Sequence, residues 1–344
     1  MTAVDPKHPG VQGQVWRNGK LLDDFSLEQV SECLHDDSLL IWADLLNPSH
    51  EEMSKLADEL DLDQWAVEDT LAKSERVKVT RYSSHLFMTL YSIEISDDKS
   101  GTAEGVGRVS LHRISAFVKK NALITVRLSD GFDMAEVVDR WNEIGGQEYG
   151  VGSLVHGLLD VIVDEHLDAI QDMDDRIEAL EELLFDDDPK SGKTLQREVY
   201  TYRKDLEVMR RVILPMRDVI GSIHRNRGNY SADGSAGGEA LDAAFSDLYD
   251  HSVRSAEWTE SLRDMVSSIF DTNLSIQDAR LNVVMKKLSG WGAIIAVPTL
   301  ITGFYGQNVP YPGYDTWGGY ITSTVIAVVA VVGLYISFKK RDWL

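Results

Sequence analysis

Two uncharged apolar runs near the carboxyl end of the chain decide its fold class. The first is LSGWGAIIAVPTLITGFY, from Leu288 to Tyr305, and the second is GGYITSTVIAVVAVVGLYISF, from Gly318 to Phe338. A helix needs about 20 mostly apolar residues to cross the hydrocarbon of a bilayer, and within lipid it satisfies its own backbone polar groups. The runs therefore predict two transmembrane helices. The alternative is a pair of buried core helices in a soluble enzyme, which rarely continue this long without a charge.

The residues that flank the two runs predict their orientation. Basic residues lie outside the pair, and the connecting loop 306–317 has no Lys or Arg; the flanking bases are Lys286, Lys287, Lys339, Lys340 and Arg341. Positive charge stays on the cytoplasmic side, so we expect both termini in the cytosol of a cell with this chain in its inner (plasma) membrane. Aromatic residues typical of a membrane boundary gather at the outer end, namely Tyr305, Tyr311, Tyr314, Trp317 and Tyr320.

One face of the first run carries small residues at helical spacing. The stripe consists of Gly292, Ala296, Thr299 and Gly303, and it continues toward the cytosol through Ser289, Met285 and Asn282. Small residues let membrane helices approach closely, so helix packing is one interpretation. The other is a pore lined by one such helix from each of several subunits, because packing alone does not require the polar side chains of the stripe. The pattern does not choose between the two interpretations.

The composition excludes several classes of protein. The chain has 344 residues and a net charge of −22, so nucleic acid is not an expected partner, because binding it needs a basic face. The acidic residues form either a solvated surface or a supply of oxygen ligands for divalent cations. The single cysteine, Cys33, excludes an internal disulfide. We expect no signal peptide and no enzyme, because His85, His112 and His156 lack metal-ligand spacing and no catalytic motif is present.

The part of the chain before the apolar runs predicts a cytosolic region. Residues 13–150 mix short apolar segments with helical ones and predict an α/β domain with a mixed sheet, including a helix over 49–60 and a strand over 122–127. A long acidic helix and a second helix with an apolar seam from Leu195 to Ile223 predict a helical hairpin. A third helix begins near Glu239 and meets neither Pro nor Gly before Gly290, so we expect it to enter the membrane as a rod of about 100 Å.

These observations divide the chain into seven parts. The expected parts are a cytosolic head (1–150), an acidic helical hairpin (151–238), a cytosolic stalk helix (239–287), a first membrane helix (288–308), an outer loop (309–317), a second membrane helix (318–338) and a basic cytosolic tail (339–344).

The residues after the first run carry a family resemblance. Tyr305-Gly306-Gln307-Asn308 follows a helix that contains a proline and precedes a second span and a terminal Lys-Lys-Arg-Asp-Trp-Leu. The arrangement resembles the CorA-type magnesium transporters, a family of two-span Gly-x-Asn metal ion transporters whose signature at this place is Tyr-Gly-Met-Asn. The chain departs from the signature at Gln307, where the family usually has Met. The resemblance covers nearly the whole chain, because the long acidic cytoplasmic region also matches.

The resemblance implies an architecture and an activity. It implies an α+β cytosolic domain, a long helical stalk and two carboxyl-terminal transmembrane helices in a funnel-shaped homopentamer that conducts Mg²⁺ passively. Gly306, Gln307 and Asn308 would form the selectivity filter, although Asn308 can also serve as a helix C-cap. The pore-lining residues would be Asn282, Met285, Leu288, Ser289, Gly292, Ala296, Thr299 and Gly303, of which Met285 and Leu288 would form an apolar constriction.

The resemblance also implies that Mg²⁺ regulates the channel. Asp247 matches the regulatory aspartate of the family's stalk helix, and its partner from a neighbouring subunit would lie near Asp97 or Asp98. Divalent ions bound between subunits would hold the closed state. Each of these acids can also belong to a solvated helix or loop surface.

Two other functions stay open at this point. A second transport hypothesis is a zinc, cobalt or nickel transporter of the same family, with proton coupling in the zinc case. A third hypothesis, of another class, is a membrane-tethered scaffold or sensor that conducts nothing.

Overall fold

The computed structural model describes residues 3–4, 10–22, 30, 33–96, 108–143, 149–185, 189–226, 236–307 and 310–344. The chain divides into two compact units, Met1–Ile269 and Phe270–Leu344. The first unit contains the sheet and most of the long helices, and the second contains the two apolar runs.

The amino-terminal unit is built on a mixed sheet. Its strands are β1 Ala3–Val4, β2 Val11–Arg17, β3 Lys20–Leu22, β4 Leu39–Leu46, β5 Lys78–Arg81, β6 Leu86–Ile95, β7 Val109–Val118 and β8 Ala122–Arg127. The strand order is β1-β2-β4-β8-β7-β6-β5, and β3 pairs with β2. Strands β4 and β8 are parallel, whereas β6 and β7 form a long antiparallel pair. The mixed sheet expected from the sequence is therefore confirmed.

Three short helices accompany the sheet: α1 His50–Glu59, α2 Gln64–Leu71 and α3 Met134–Glu143. Helix α1 begins with a capping box, in which the Ser49 hydroxyl accepts a hydrogen bond from the Glu52 N–H (3.2 Å) and the Glu52 carboxylate accepts one from the Ser49 N–H (2.8 Å). This pair satisfies two backbone donors that the first turn would otherwise leave free. The helix predicted over 49–60 is confirmed, whereas α3 was not predicted from the sequence.

Four long helices follow: α4 Val151–Leu184, α5 Pro189–Asn226, α6 Ala236–Tyr305 and α7 Trp317–Lys340. Helix α6 is continuous for 70 residues, as the absence of Pro and Gly between Glu239 and Gly290 predicted, and it continues through Pro298. The apolar seam of α5 is buried from Leu195 to Ile223. An α+β domain followed by a long helix and two apolar carboxyl-terminal helices is the fold class that the sequence predicted.

A buried polar network joins three strands of the sheet. Asp44 on β4 is fully buried, and its carboxylate accepts hydrogen bonds from the guanidinium of Arg127 on β8, the closest at 2.6 Å. The hydroxyl of Thr125 (2.7 Å) and the amide of Gln12 on β2 (3.1 Å) also donate to it. Arg127 donates a further hydrogen bond to the carbonyl of Phe132 at 2.8 Å. The buried charges are thus paired and hydrogen-bonded, as burial requires.

Candidate functional site: the apolar helices and the loop between them

Helices α6 and α7 are long and apolar enough for each to cross a membrane. Within the second unit they meet at Gly290, where an added Cβ would lie 3.7 Å from a ring carbon of Phe338 on α7 and 3.3 Å from a side-chain carbon of Leu344, just beyond the end of α7. Most of the apolar side chains on α7 stay exposed in the single chain, including Val325 and Val329. An exposed apolar surface of this extent marks contact with lipid or with other protein chains.

The small-residue stripe lies on a face of α6 that α7 does not cover. Apart from the neighbouring backbone of α6 itself, no heavy atom of the described residues lies within 4 Å of a Cβ added at Gly292 or at Gly303, although Gly290 packs tightly against the end of the chain. An open groove of about 650 Å³ runs along the stripe, and its lining consists of Gly292, Ile295, Ala296, Thr299, Leu300, Gly303, Phe304 and Gln307. The structure therefore brings four of the predicted pore-lining residues together in one groove that also contains Gln307.

Thr299 gives the groove a polar position. Its hydroxyl donates a hydrogen bond to the carbonyl of Ile295 at 2.9 Å. A hydroxyl has one hydrogen and two acceptor lone pairs. Because the Thr299 hydrogen is used in the bond within the helix, its oxygen can only accept hydrogen bonds from groups in the groove. An oxygen that only accepts suits the water shell of a cation, whose water hydrogens point outward.

The remaining predicted pore-lining residues lie one to three turns closer to the amino terminus of α6. These residues, Asn282, Met285, Leu288 and Ser289, are all exposed in the single chain. Met285 and Leu288 are 57% and 66% exposed, which is high for such apolar side chains. Positions three apart on a helix lie on the same side, so Leu288 lies next to Met285 of the stripe, and the two form a pair of adjacent exposed apolar side chains.

The carboxyl end of α6 contains the first two residues of the predicted filter. The Gly306 N–H donates to the carbonyl of Thr302 (2.9 Å) and the Gln307 N–H donates to that of Phe304 (3.2 Å). A Cβ at Gly306 would lie 3.1 Å from the Thr302 carbonyl oxygen, so a side chain fits poorly at this position. Asn308, the third filter residue, lies outside the residues that the structure describes.

Aromatic rings hold the connecting loop against this end of the helix. The rings of Tyr305 and Tyr311 are 5.0 Å apart, and those of Tyr311 and Tyr314 are 5.4 Å apart, both edge to face. The Tyr311 hydroxyl donates to the Tyr305 carbonyl at 3.1 Å, which satisfies one of the acceptors that a helix end leaves free. The sequence predicted the aromatic cluster at this boundary but not the hydrogen bond.

The predicted regulatory residues are only partly described. Asp247 lies on α6 with a side chain that is 74% exposed, and its carboxylate is 3.9 Å from the His251 ring. Asp97 and Asp98 fall outside the described residues, in the connection between β6 and β7. Among the residues that the structure does describe, no group of three or more His, Cys, Asp or Glu side chains could hold a metal ion.

The end of that connection is anchored by a residue that sequence reasoning missed. The Arg108 guanidinium donates to the Tyr202 hydroxyl (2.6 Å) and to the Glu198 carboxylate (2.7 Å), both on α5. Its backbone N–H donates to the carboxylate of Asp205 at 3.4 Å, and burial raises the pKa of that carboxyl above its usual range. No local pattern identifies Arg108, because its partners lie about ninety residues away along the chain.

Comparison with protein families gives one match that covers most of the chain. The sequence model described as CorA-like Mg²⁺ transporter protein matches residues 37–340. The chain is 28% identical over 282 residues to a cobalt/magnesium transport protein CorA from Thermotoga maritima, with 81% of this chain and 76% of that protein covered. It is 25% identical over 287 residues to a zinc transport protein ZntB from Yersinia enterocolitica, with 81% and 80% covered.

The fold is also similar to a solved structure over its full length. The structure is that of the CorA magnesium transporter from Methanocaldococcus jannaschii, with a TM-score of 0.70, 22% identity and complete coverage of both chains. At this identity the likeness concerns the fold, including a long helix followed by a second apolar helix.

Proposed function

Because the chain belongs to the CorA-like Mg²⁺ transporter family, we propose that it is a membrane channel through which Mg²⁺ enters the cell passively. The observation that carries the proposal is the uncovered groove on α6. It places Gly292, Ala296, Thr299 and Gly303 in one line that leads to Gln307 at the outer end of the helix. An open line of small residues that includes Thr299 and ends at Gln307, within the apolar part of α6, supports an aqueous path between subunits.

The path in this proposal forms where copies of α6 meet with their grooves facing a common axis. Small residues leave room for a hydrated ion, and Asn282, Ser289 and Thr299 supply polar rings along the path. Met285 and Leu288 supply the apolar constriction, which closes the path by excluding water. The number of copies is five, by resemblance to the family, and both termini lie in the cytosol.

The filter in this proposal selects the hydrated ion. Mg²⁺ loses its waters reluctantly and prefers octahedral oxygen coordination. A ring of Asn308 amide oxygens accepts hydrogen bonds from the ion's water shell, while Gly306 and Gln307 set the position of that ring above the groove. This mechanism needs no nucleotide hydrolysis, because the membrane potential drives a cation inward.

Regulation in this proposal depends on charge. Each subunit contributes a net charge of −22, so the cytosolic parts of neighbouring copies repel one another. Mg²⁺ bound between Asp247 of one copy and Asp97 or Asp98 of the next offsets the repulsion and stabilises the closed state. When the cytosolic ion concentration falls, the sites empty and the closed state loses that stabilisation.

A second candidate is a transporter of zinc, or of cobalt and nickel, with the same architecture. The match to a zinc transport protein favours it, as does Gln307 in place of the family's usual Met. A scaffold or sensor that conducts nothing is the candidate from another class. It predicts a folded protein without ion flux.

The experiment that tests the function is ion flux into liposomes that contain the full chain. We expect an imposed inside-negative potential to drive Mg²⁺ entry, with no dependence on a proton gradient. Zn²⁺ flux that exceeds Mg²⁺ flux and requires a proton gradient would favour the zinc transporter. Flux no greater than that of empty liposomes for every ion would favour the scaffold.

Replacement of Asp247 by alanine is expected to weaken closure by Mg²⁺. The Asp247 side chain is 74% exposed, and its contact with the His251 ring is long, at 3.9 Å, so its loss should leave the fold intact and remove a ligand. The measurement is limited proteolysis of the solubilised full chain over a range of Mg²⁺ concentrations. We expect protection of the variant to need several-fold more Mg²⁺ than protection of the wild type.

The matched control is Asp250→Ala, which removes an exposed carboxylate three residues along the same helix. We expect this control to keep the protection curve of the wild type. An unchanged curve for Asp247→Ala, or an equal shift in both variants, would count against a specific regulatory site.

A further inference from the structure

Helix α5 is basic in a strongly acidic protein. Its sequence has nine Lys and Arg residues against four Asp and Glu, whereas the whole chain has a net charge of −22. Helix α4, which packs beside it, has ten Asp and Glu residues against one Arg. The transport of cations gives no reason for a concentration of positive charge on one helix of the cytosolic unit.

Three basic side chains of α5 line one wall of a cavity. It has a volume of about 840 Å³ and lies between α5, the start of β7 and the part of α6 that belongs to the first unit. Four cationic side chains line it, together with three carboxylates: the cations are Arg203, Lys204, Arg211 and Arg263, and the carboxylates are Asp205, Glu207 and Asp264. The volume falls within the range of about 300–1,000 Å³ that is typical of small-molecule sites.

Two of the four cations, Arg203 and Lys204, are free to take a ligand. The other two have carboxylate partners: Arg211 lies 3.7 Å from Glu207, and Arg263 lies 3.0 Å from Asp264. Within the described part of the chain, Arg203 and Lys204 form no ion pair, and the Lys204 ammonium lies 5.6 Å from the centre of the Tyr200 ring. Exposed ion pairs contribute little stability, so Arg211 can also exchange its partner for a more highly charged anion.

The wall that carries these cations is firmly positioned. Asp205 and Tyr202 are buried and accept hydrogen bonds from Arg108, the residue just before β7. Arg203 and Lys204 lie between them on the same turn of α5 and are exposed. A fixed backbone lowers the entropy that a ligand must overcome to order the cations around it.

We propose that this cavity binds a nucleoside triphosphate. Arg203, Lys204 and Arg211 contact the phosphates, since guanidinium groups match phosphate oxygens in two-point hydrogen bonds. Arg203 and Arg211 are separated by a rise of about 12 Å along the helix, which suits an elongated polyanion better than a single phosphate. The Tyr200 ring, which is 65% exposed at the edge of the cavity, stacks on the base.

A triphosphate fits the cavity better than the acidic helix of a second copy does. Carboxylates on a helix are spread along a convex surface, whereas the cations here converge on a concave space. A bound triphosphate would also contact Arg263 on α6, the helix that contains the first apolar run. Ligand binding would thus favour the arrangement of α5 and α6 in which the cavity is formed.

The test is calorimetric titration of the solubilised full chain with two probes, ATP and inorganic tripolyphosphate, in EDTA at physiological salt. We expect saturable binding of both. The double variant Arg203→Ala/Lys204→Ala should lower the affinity for both probes at least about tenfold, because a hydrogen bond to a charged group commonly contributes that factor or more. Tyr200→Ala should weaken the binding of ATP and leave that of tripolyphosphate unchanged.

The control is Arg217→Ala, which removes an exposed cation of α5 that lies outside the cavity and is 3.6 Å from Asp218. We expect its affinities to equal those of the wild type. Absence of saturable binding to the wild type, or an equal loss of affinity in the control and the double variant, would overturn the site. An unchanged ATP affinity in Tyr200→Ala would overturn the role of the base and leave a polyphosphate site. None of these binding measurements depends on whether the protein conducts ions.

Discussion

Replacement of Asn308 by alanine is expected to abolish Mg²⁺ uptake while the protein still assembles in the membrane. In the proposed filter, the amide oxygen of Asn308 accepts hydrogen bonds from the water shell of the ion, and a methyl group cannot do so. Mg²⁺ holds its waters tightly, so no other group at that level can compensate by binding the bare ion. The measurement is Mg²⁺ flux into liposomes, with the elution volume of the solubilised protein as the check on assembly.

The control for this variant is Asn142→Ala, which removes an exposed asparagine on α3, far along the chain from the apolar helices. We expect the flux of the control to equal that of the wild type. If Asn308→Ala conducts normally, the assignment of the filter is wrong and the groove on α6 must select ions by other residues. If Asn308→Ala fails to assemble, Asn308 acts as a structural cap at the end of the helix.

Replacement of Arg127 by alanine is expected to lower the free energy of unfolding by about 3–5 kcal/mol, because it leaves a buried carboxylate without its cation. Asp44 is completely buried, and the guanidinium approaches it to 2.6 Å. Thr125 and Gln12 keep their hydrogen bonds to the carboxylate, but neither supplies a positive charge. The measurement is urea unfolding of the full chain, followed by fluorescence of the buried Trp42 and Trp141.

Two variants identify the cause of this loss. Lys120→Ala breaks an exposed ion pair with Asp37, whose side chains are 76% and 70% exposed, and should change stability by less than about 1 kcal/mol. Adding Asp44→Asn to Arg127→Ala should restore part of the lost stability, because it removes the stranded charge. A loss in Arg127→Ala that matches that of Lys120→Ala would mean that the buried pair does not stabilise the sheet.

Local patterns in the sequence predicted many of the elements closely. Strand β8 has the predicted bounds, Ala122–Arg127, and α1 begins at the predicted Ser49 cap. Both depend on residues that are neighbours along the chain, so spacing and capping chemistry are sufficient to find them. Helix α3 was not predicted, although Val137, Val138 and Trp141 have helical spacing and are buried. Three apolar residues over one or two turns are too few to distinguish a short helix from a loop by periodicity.

The candidate site was predicted in part for the same reason. Spacing placed Gly292, Ala296, Thr299 and Gly303 on one face of a helix, and a helix repeats regularly enough for that inference to hold. Spacing did not decide whether α7 covers that face. The close approach of Gly290 to Phe338 of α7 shows that a different side of α6 faces α7.

Composition and periodicity along the chain were sufficient to predict the two apolar helices, the continuous α6 and the mixed sheet. Three features could not be predicted in this way and are visible only in the folded chain. They are the pairing of Arg127 with Asp44, the anchoring of Arg108 on α5 and the cluster of cations around the cavity beside it. The partners in the first two cases lie roughly 80 to 100 residues apart, and the cavity joins β7, α5 and α6. Topology rather than local spacing brings such residues together, because the sheet order sets which distant strands and helices become neighbours.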